Sequence, residues 1–475
     1  MASEFQKPDW VEERPYQNAA VRSWAEAGGQ GILNMATGTG KTITSLLAAA
    51  HARETMDGRL ALIIAVPYQH LVEQWASDVR DFGAAPVMAF ESRAQWQEEL
   101  ERRILEFNNG VRDSFVVVTT HKTFASEPFQ DELTTVTATE QMLIADEVHH
   151  LGAPHLRKSL PQSIPLRLGL SATPERWYDD EGTKALFRYF GEGIVYEYSL
   201  QRAIDNGSLC EYYYIPHVVS LTADEEEEYL RLSRKIARLA ASVDEDLGDA
   251  DLQDVSGLKQ ALFKRARLLG TAEQKLERLE SLLERERSVE HTLVYCGDGS
   301  IEDELTGRTK RHVDATVERL RRDLGIRARR FTARESQEER QELLDRFSEG
   351  DIETLVAIRC LDEGVDVPST RTAYILASSS NPRQFVQRRG RILRQAQDKP
   401  YAVIHDFVVA PPRRAFQDEA SDQFSTERSL IEKELNRVSL FAESARNHPD
   451  ADVDGVPTGS RTLQSLKQKY NLRQL

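Results

Sequence analysis

Cysteine is nearly absent. Three residues of 475, Cys210, Cys296 and Cys360, stand far apart and are odd in number. This argues against a disulfide framework or a CxxC metal site and predicts a reducing compartment, the cytosol. Long apolar runs are missing as well. No stretch approaches the ~18–20 residues of a membrane span, so no membrane partner is expected. The opening segment MASEFQKPDW has neither the basic start nor the apolar core of an export signal, and no export is expected. Positive charge is in deficit, with 61 Lys plus Arg against 77 Asp plus Glu and a formal net charge of -16. A surface coated in base for nonspecific nucleic-acid binding is thereby disfavoured, although a local basic track is not. Acid gathers at Asp224, Glu225, Glu226, Glu227 and Glu228 and again at Asp244, Glu245 and Asp246, while base gathers around residues 308–330 and 383–394. Such runs read first as solvated faces. Repeats of solenoid period and low-complexity tracts are lacking too.

What is present is a chain too long for one hydrophobic core, which predicts two domains of ordinary size plus appendages. Short apolar runs alternate with longer amphipathic stretches: GILNM, LALIIAVP, SFVVVTT, MLIADE and LRLGLSAT before residue 200, then TLVYCG, IRARRFTA, TLVAIRC, TAYILAS and AVIHDFV after His291. Continuous apolar strands separated by helix-length segments predict parallel sheets covered on both faces. Residues 222–289, charged and poor in Gly and Pro, read as helical. The expected divisions are a first α/β domain at 1–200, a connector and helical segment at 201–290, a second α/β domain at 291–410 and a C-terminal helical extension at 411–475.

Residues 35–42, MATGTGKT, follow the first apolar run and precede a helix-like segment. Gly38 and Gly40 allow backbone N–H groups to point inward at phosphate oxygens, with Thr37 and Thr39 in the same turn. Lys41 can reach the β/γ-phosphates, Thr42 can ligate Mg²⁺, and the helix start adds its positive dipole end. Met35 departs from the usual small residue at the first position of this pattern. At the end of MLIAD stand Asp146, Glu147, Val148 and His149, an acidic pair where open α/β sheets bind ligands. Asp146 can hold the Mg²⁺ touched by Thr42, and Glu147 can orient and deprotonate the attacking water.

MATGTGKT, DEVHH, the Ser171-Ala172-Thr173-Pro174 segment and the run from Gln387 through Arg391 to Arg394 occur in that order. Together they resemble superfamily 2 helicases and translocases of the DExH type over residues 14–409. The resemblance implies two RecA-like parallel-sheet domains in tandem, with a helical connector and a C-terminal helical appendage, and ATP and Mg²⁺ as cofactors. Arg14 and Gln17 then resemble the adenine-recognising segment. Ser171 and Thr173, with His149 and Gln387, would link nucleotide state to the nucleic-acid track. Gly364 and Asp366 match the fifth motif, where the aspartate approaches the ribose. Arg391 and Arg394 match the sixth motif, and their spacing predicts one helical face aimed across a cleft at the γ-phosphate. Arg388 and Arg389 fit better as partners of surface carboxylates. Strand-end loops resembling the family's phosphate contacts supply Tyr68, Gln69, Thr119, Thr120 and Lys122, with Thr332 in the second half; such contacts position nucleic acid without reading sequence.

Residues 331–394 and 171–180 most resemble XPB-type DNA helicases and the motor subunits of restriction-like systems. The resemblance implies a DNA helicase or duplex translocase on duplex or single-stranded DNA, as the motor of a DNA repair or phage-defence system, with a nuclease or defence-complex subunit on another chain as a protein partner. His149 departs from the DEAD-box RNA helicases, which carry Asp there. An RNA remodeller and a nucleotide-gated clamp with little turnover stand as the alternatives.

Overall fold

The protein is described from a computed structural model covering residues 5–137, 139–176, 179–191, 193–245, 252–286, 288–302, 309–332, 334–358, 367, 369–377, 382–410, 412, 422–447 and 459–469. The chain divides into two units, Met1–Ser208 and Leu209–Leu475. In the first, the strands are β1 (Gln30–Met35), β2 (Leu60–Val66), β3 (Val87–Ala89), β4 (Ser114–Thr120), β5 (Gln141–Ala145), β6 (Leu166–Ser171) and β7 (Ile194–Tyr198). They form one sheet in the order β3-β4-β2-β5-β6-β1-β7 with every neighbouring pair parallel. The central strand β2, LALIIAV, is buried along its whole length, as a strand covered by helices on both faces must be. Helices α1 (Pro15–Glu26), α2 (Lys41–Thr55) and α3 (Gln69–Asp81) follow the apolar spacing of the sequence. Register aligns Val66 with Thr120 and Ala65 with Ala145, so the segments that follow β2, β4 and β5 leave the sheet side by side.

The second unit holds a six-stranded sheet, likewise parallel throughout, in the order β12-β13-β9-β14-β15-β8. Its strands are β8 (Glu211–Val219), β9 (Thr292–Tyr295), β12 (Ala328–Phe331), β13 (Thr354–Ala357), β14 (Thr372–Ile375) and β15 (Tyr401–Val409); a separate antiparallel pair joins β10 (Ser300–Glu302) to β11 (Thr309–Arg311). Strand β8 arises in the stretch expected to act as connector. It carries Pro216, which cannot donate to a ladder and is tolerated because β8 is the edge strand, paired only with β15. Within the charged stretch expected to be helical, the described residues form helices Ala223–Glu245, Leu252–Gly270 and Glu273–Leu283.

The C-terminal helices Asp422–Glu443 and Gly459–Lys469 belong to this unit. Arg437 donates to Asp406 Oδ1 at 3.0 Å and to Glu434 at 2.6 Å, and the Tyr214 hydroxyl donates to Asp406 Oδ2 at 2.7 Å. Past the first of these helices, the Asn447 side chain accepts from Tyr214 N and donates to Tyr214 O, both at 2.9 Å. Asn447 thus satisfies backbone groups on the outer side of β8, the edge that would otherwise invite another strand. Removing one partner of a buried ion pair leaves an uncompensated charge, so Arg437→Ala is expected to destabilise the second unit by about 3–5 kcal/mol in denaturant unfolding. A loss below about 1 kcal/mol would mean that the pair contributes little to holding the C-terminal helix.

Candidate nucleotide site and strand-end loops

Strand β1 ends at the buried Met35, and the chain turns through residues 36–40 into α2. Gly38 has φ 86° and Gly40 φ 78°, a region in which a side chain is strained, and Gly40 directly precedes the first helical residue, Lys41. The turn is held from inside. Thr39 Oγ1 donates to Ala36 O at 2.7 Å, Lys41 Nζ to Met35 O at 3.2 Å, and the Tyr16 hydroxyl to Thr39 O at 2.8 Å. Gln17, at the start of α1, is buried, and its Oε1 accepts from Arg14 N at 3.0 Å. Its amide nitrogen lies against the loop, only 3.2 Å from where a Cβ on Gly40 would stand. Thr37 Oγ1 is buried without a hydrogen-bond partner among the described residues. A left-handed glycine pair, a helix N-terminus, a lysine and an unsatisfied hydroxyl make a donor set that fits a nucleoside-triphosphate phosphate chain.

Asp146 follows β5 at once. Its Oδ1 accepts from Glu147 N at 2.9 Å and its Oδ2 from Trp75 Nε1 at 3.2 Å. Burial pushes its carboxyl above the ordinary carboxylate range, and the charge of Lys41 opposes that rise, so the phosphate-loop lysine lies within electrostatic reach of this acid. Thr42, one residue into α2, is half-buried. An oxygen pair of hydroxyl and carboxylate suits the hard Mg²⁺ ion.

Glu147 occupies left-handed backbone space, φ 43° and ψ 51°, which costs a non-glycine residue energy and is common where a site demands one orientation. Its Oε2 lies 3.5 Å from His149 Nδ1, which is itself 3.2 Å from Ser171 Oγ. Ser171 Oγ in turn accepts from Thr173 N at 3.1 Å. The structure therefore brings Lys41, Asp146, Glu147, His149, Ser171 and Thr173 into one connected group at the carboxyl end of the first sheet. Arg176 supports it by donating to the His149 carbonyl and to Asp179 Oδ2, while Asp179 caps the helix Asp180–Tyr189. Trp75, Arg176 and Tyr16 escaped the sequence reading. Trp75 lies far from Asp146 in sequence, and only the alignment of β2 with β5 brings it near.

The strand-end loops divide by exposure. Tyr68 stacks on His70 at 5.8 Å and meets His150 edge-on at 6.0 Å, which connects this loop to DEVHH; Gln69 and Lys122 are exposed. The three threonine hydroxyls are engaged within the fold. Thr119 is fully buried and donates to Ala89 O at 2.7 Å, Thr120 accepts from Thr123 N at 3.1 Å, and Thr332 in the second unit donates to Glu335 Oε2 at 2.7 Å. His121, beside Thr120, is pushed down to about 3 by burial and by His150, so it is neutral.

In the second unit, helix Pro382–Ile392 carries Gln387 and Arg391, both half-buried. The helix stops before Arg394, so the expectation of one helical face for Arg391 and Arg394 does not hold. Arg394 pairs its backbone with Leu209 in an antiparallel bridge, and Lys399 Nζ takes Ile392 O at 2.6 Å and Arg394 O at 2.9 Å, satisfying carbonyls at the helix end. Arg388 and Arg389 are buried rather than set among surface carboxylates. Arg388 donates to Ala377 O at 2.9 Å over the Tyr295 ring, and Arg389 to Leu440 O at 2.6 Å over the Phe441 ring. Gly364 and Asp366 lie outside the described residues.

Residues 11–176 match the family described as type III restriction enzyme, res subunit, and residues 274–396 match the helicase conserved C-terminal domain. The chain is 28% identical over 407 residues to the DNA 3'-5' translocase XPB2 of Sulfurisphaera tokodaii, an alignment spanning 82% of this chain and 80% of that protein. It is 26% identical over 415 residues to the DNA 3'-5' helicase XPB of Kineococcus radiotolerans, spanning 83% of this chain and 59% of that one. In fold it resembles the Pyrococcus furiosus Hef helicase domain, with a TM-score of 0.52, 18% identity and coverage of 87% and 98%. It also resembles the type ISP restriction-modification enzyme LlaBIII bound to DNA, with a TM-score of 0.59, 17% identity, 91% of this chain and 30% of that one. Two parallel-sheet units, a phosphate loop joined to an acid pair and paired matches to both helicase halves lead to one assignment: the chain belongs to the superfamily 2 helicases and translocases.

Proposed function

We propose that this chain is an ATP-driven DNA translocase or helicase. The carrying observation is the acid pair Asp146 and Glu147 at the end of its strand, with the phosphate-loop Lys41 in electrostatic reach of Asp146 and Glu147 linked through His149 to Ser171 at the neighbouring strand end. DNA rather than RNA as the track follows from the kinship with XPB-type proteins, whose names specify DNA. No helix among the described residues is long and apolar enough to cross a membrane, and a cytoplasmic site of action fits that finding and the few cysteines.

In this reading the N–H groups at residues 38–42 and the Lys41 ammonium bind the phosphates, and Gln17 with Arg14 binds the adenine edge. Thr42 and Asp146 would hold Mg²⁺, which when bound would supply positive charge to the phosphate chain. Glu147 orients the attacking water and accepts its proton, while His149 fixes that carboxylate from its other side. Arg391 and Arg394 stabilise the charge that develops on the transferred phosphoryl group, and Gly364 and Asp366 serve the ribose. Ser171, Thr173 and Gln387 relay nucleotide state to the DNA. Tyr68, Gln69 and Lys122 offer side chains to the DNA backbone. Thr119, Thr120 and Thr332 shape their loops through the bonds described above, so their share in DNA binding falls to main-chain groups. A nuclease or defence subunit on a second chain would complete a restriction-like assembly.

The deciding measurement is ATP hydrolysis with duplex DNA, single-stranded DNA and RNA in parallel. Duplex DNA is expected to raise kcat about tenfold or more, with affinity falling steeply as salt rises and varying little with sequence. Stimulation by RNA alone would transfer the assignment to an RNA remodeller, and hydrolysis at full rate without nucleic acid would remove the translocase reading.

A further inference from the structure

The phosphate loop and the chain that leaves the first unit meet on one pair of tyrosines. The Tyr16 hydroxyl donates to Thr39 O at 2.8 Å, inside the loop, and the Tyr16 ring lies 4.1 Å from that of Tyr198 at an interplanar angle of 10°. Tyr198 is the last residue of β7 and is fully buried; its carbonyl accepts from Ala36 N at 2.9 Å, where the loop begins. Its hydroxyl serves the segment that ends the first unit. Ser208 Oγ lies 3.1 Å away and Asn206 Nδ2 donates to it at 3.2 Å. Ser208 closes the first unit. The next two residues are fixed within the second unit at the arginine segment, Leu209 by its bridge to Arg394 and Cys210 by donating its N–H to Leu393 O at 2.8 Å.

We propose that Tyr198 is a positioning residue through which the phosphate loop communicates with residues 206–210, and so with the backbone beside Arg394. The inference rests on the reading of the chain as a DNA-stimulated ATPase. A stacked, close-packed ring pair has no slack, so a shift of the loop at Thr39 must displace Tyr198 as well. A buried hydroxyl without a partner is costly, so Ser208 and Asn206 follow the ring or leave it unsatisfied. Coupling between distant groups is carried by packed side chains and hydrogen bonds of this kind. Neither Ser208 nor Asn206 belongs to the nucleotide site, so the link can be cut without touching the chemistry.

The experiment compares the full chain with the double variant Asn206→Ala/Ser208→Ala, with Tyr198→Phe, and with Ser208→Thr, which keeps the hydroxyl. Basal kcat, ATP KM, duplex-DNA affinity, DNA-stimulated kcat and thermal midpoint are read for each. The double variant and Tyr198→Phe are expected to keep basal kcat, ATP KM and DNA affinity within about twofold while the DNA-stimulated kcat falls about fivefold or more. Ser208→Thr should retain most of the stimulation. Undiminished stimulation in both cutting variants would overturn the inference. So would an equal fall in basal and stimulated rates, the mark of a merely structural role. Absence of stimulation in the unaltered protein would instead overturn the functional reading, and this inference with it.

Discussion

Replacing Glu147 by Gln is expected to lower kcat for ATP hydrolysis by about 100- to 10,000-fold while leaving ATP affinity nearly unchanged. The substitution keeps size, shape and one acceptor oxygen, so the left-handed turn at this residue and the neighbouring His149 lose little. What disappears is the capacity to take a proton from water. Lys41→Ala should fail by the other route, with a large loss of affinity or phosphate positioning, because it removes the positive charge of the phosphate loop that lies in reach of Asp146. Steady-state turnover together with equilibrium nucleotide binding separates the two outcomes. Near-normal turnover in Glu147→Gln would mean that another base activates the water and that the acid pair serves only to hold metal.

The parts of this site that were legible in the sequence are those whose chemistry is local. A glycine pair, a lysine and a hydroxyl within a few residues dictate a phosphate-binding turn whatever surrounds them, and the structure gives Gly38 and Gly40 the backbone conformations that the pattern requires. Strands such as LALIIAV were equally plain, because only a strand covered on both faces is apolar at every position. What stayed hidden depends on tertiary pairing. Strand β7 reads IVYEY, with its outer positions partly exposed as an edge strand allows, and β8 contains a proline that argues against a strand until its place at the sheet edge is known. The buried tyrosine pair could not be found from either residue alone, since Tyr16 and Tyr198 stand at opposite ends of the first unit's sequence. Helical spacing misled at Arg394, where a backbone bridge to Leu209 ends the helix before the periodicity of the arginines does.

The arginines of helix Pro382–Ile392 offer the sharpest separation between chemistry and architecture. Arg391→Ala is expected to reduce kcat by about 1,000-fold, the lower end of what a transition-state guanidinium contributes to phosphoryl transfer, while changing ATP affinity by less than about threefold. Arg391→Lys should recover only a small part, because a point charge does not reproduce the planar, forked donor set. Arg388, three residues earlier on the same helix, should behave in the opposite manner. Its guanidinium is buried over Tyr295 and bonded to Ala377 O, so Arg388→Ala leaves a carbonyl and a ring without their partner and lowers the thermal midpoint. Arg391→Ala, half-buried at the end of the helix, should melt close to the unaltered protein. Equal losses of binding and turnover in Arg391→Ala would make it an affinity contact, and a fall in thermal midpoint as large as that of Arg388→Ala would assign it to the fold rather than to hydrolysis.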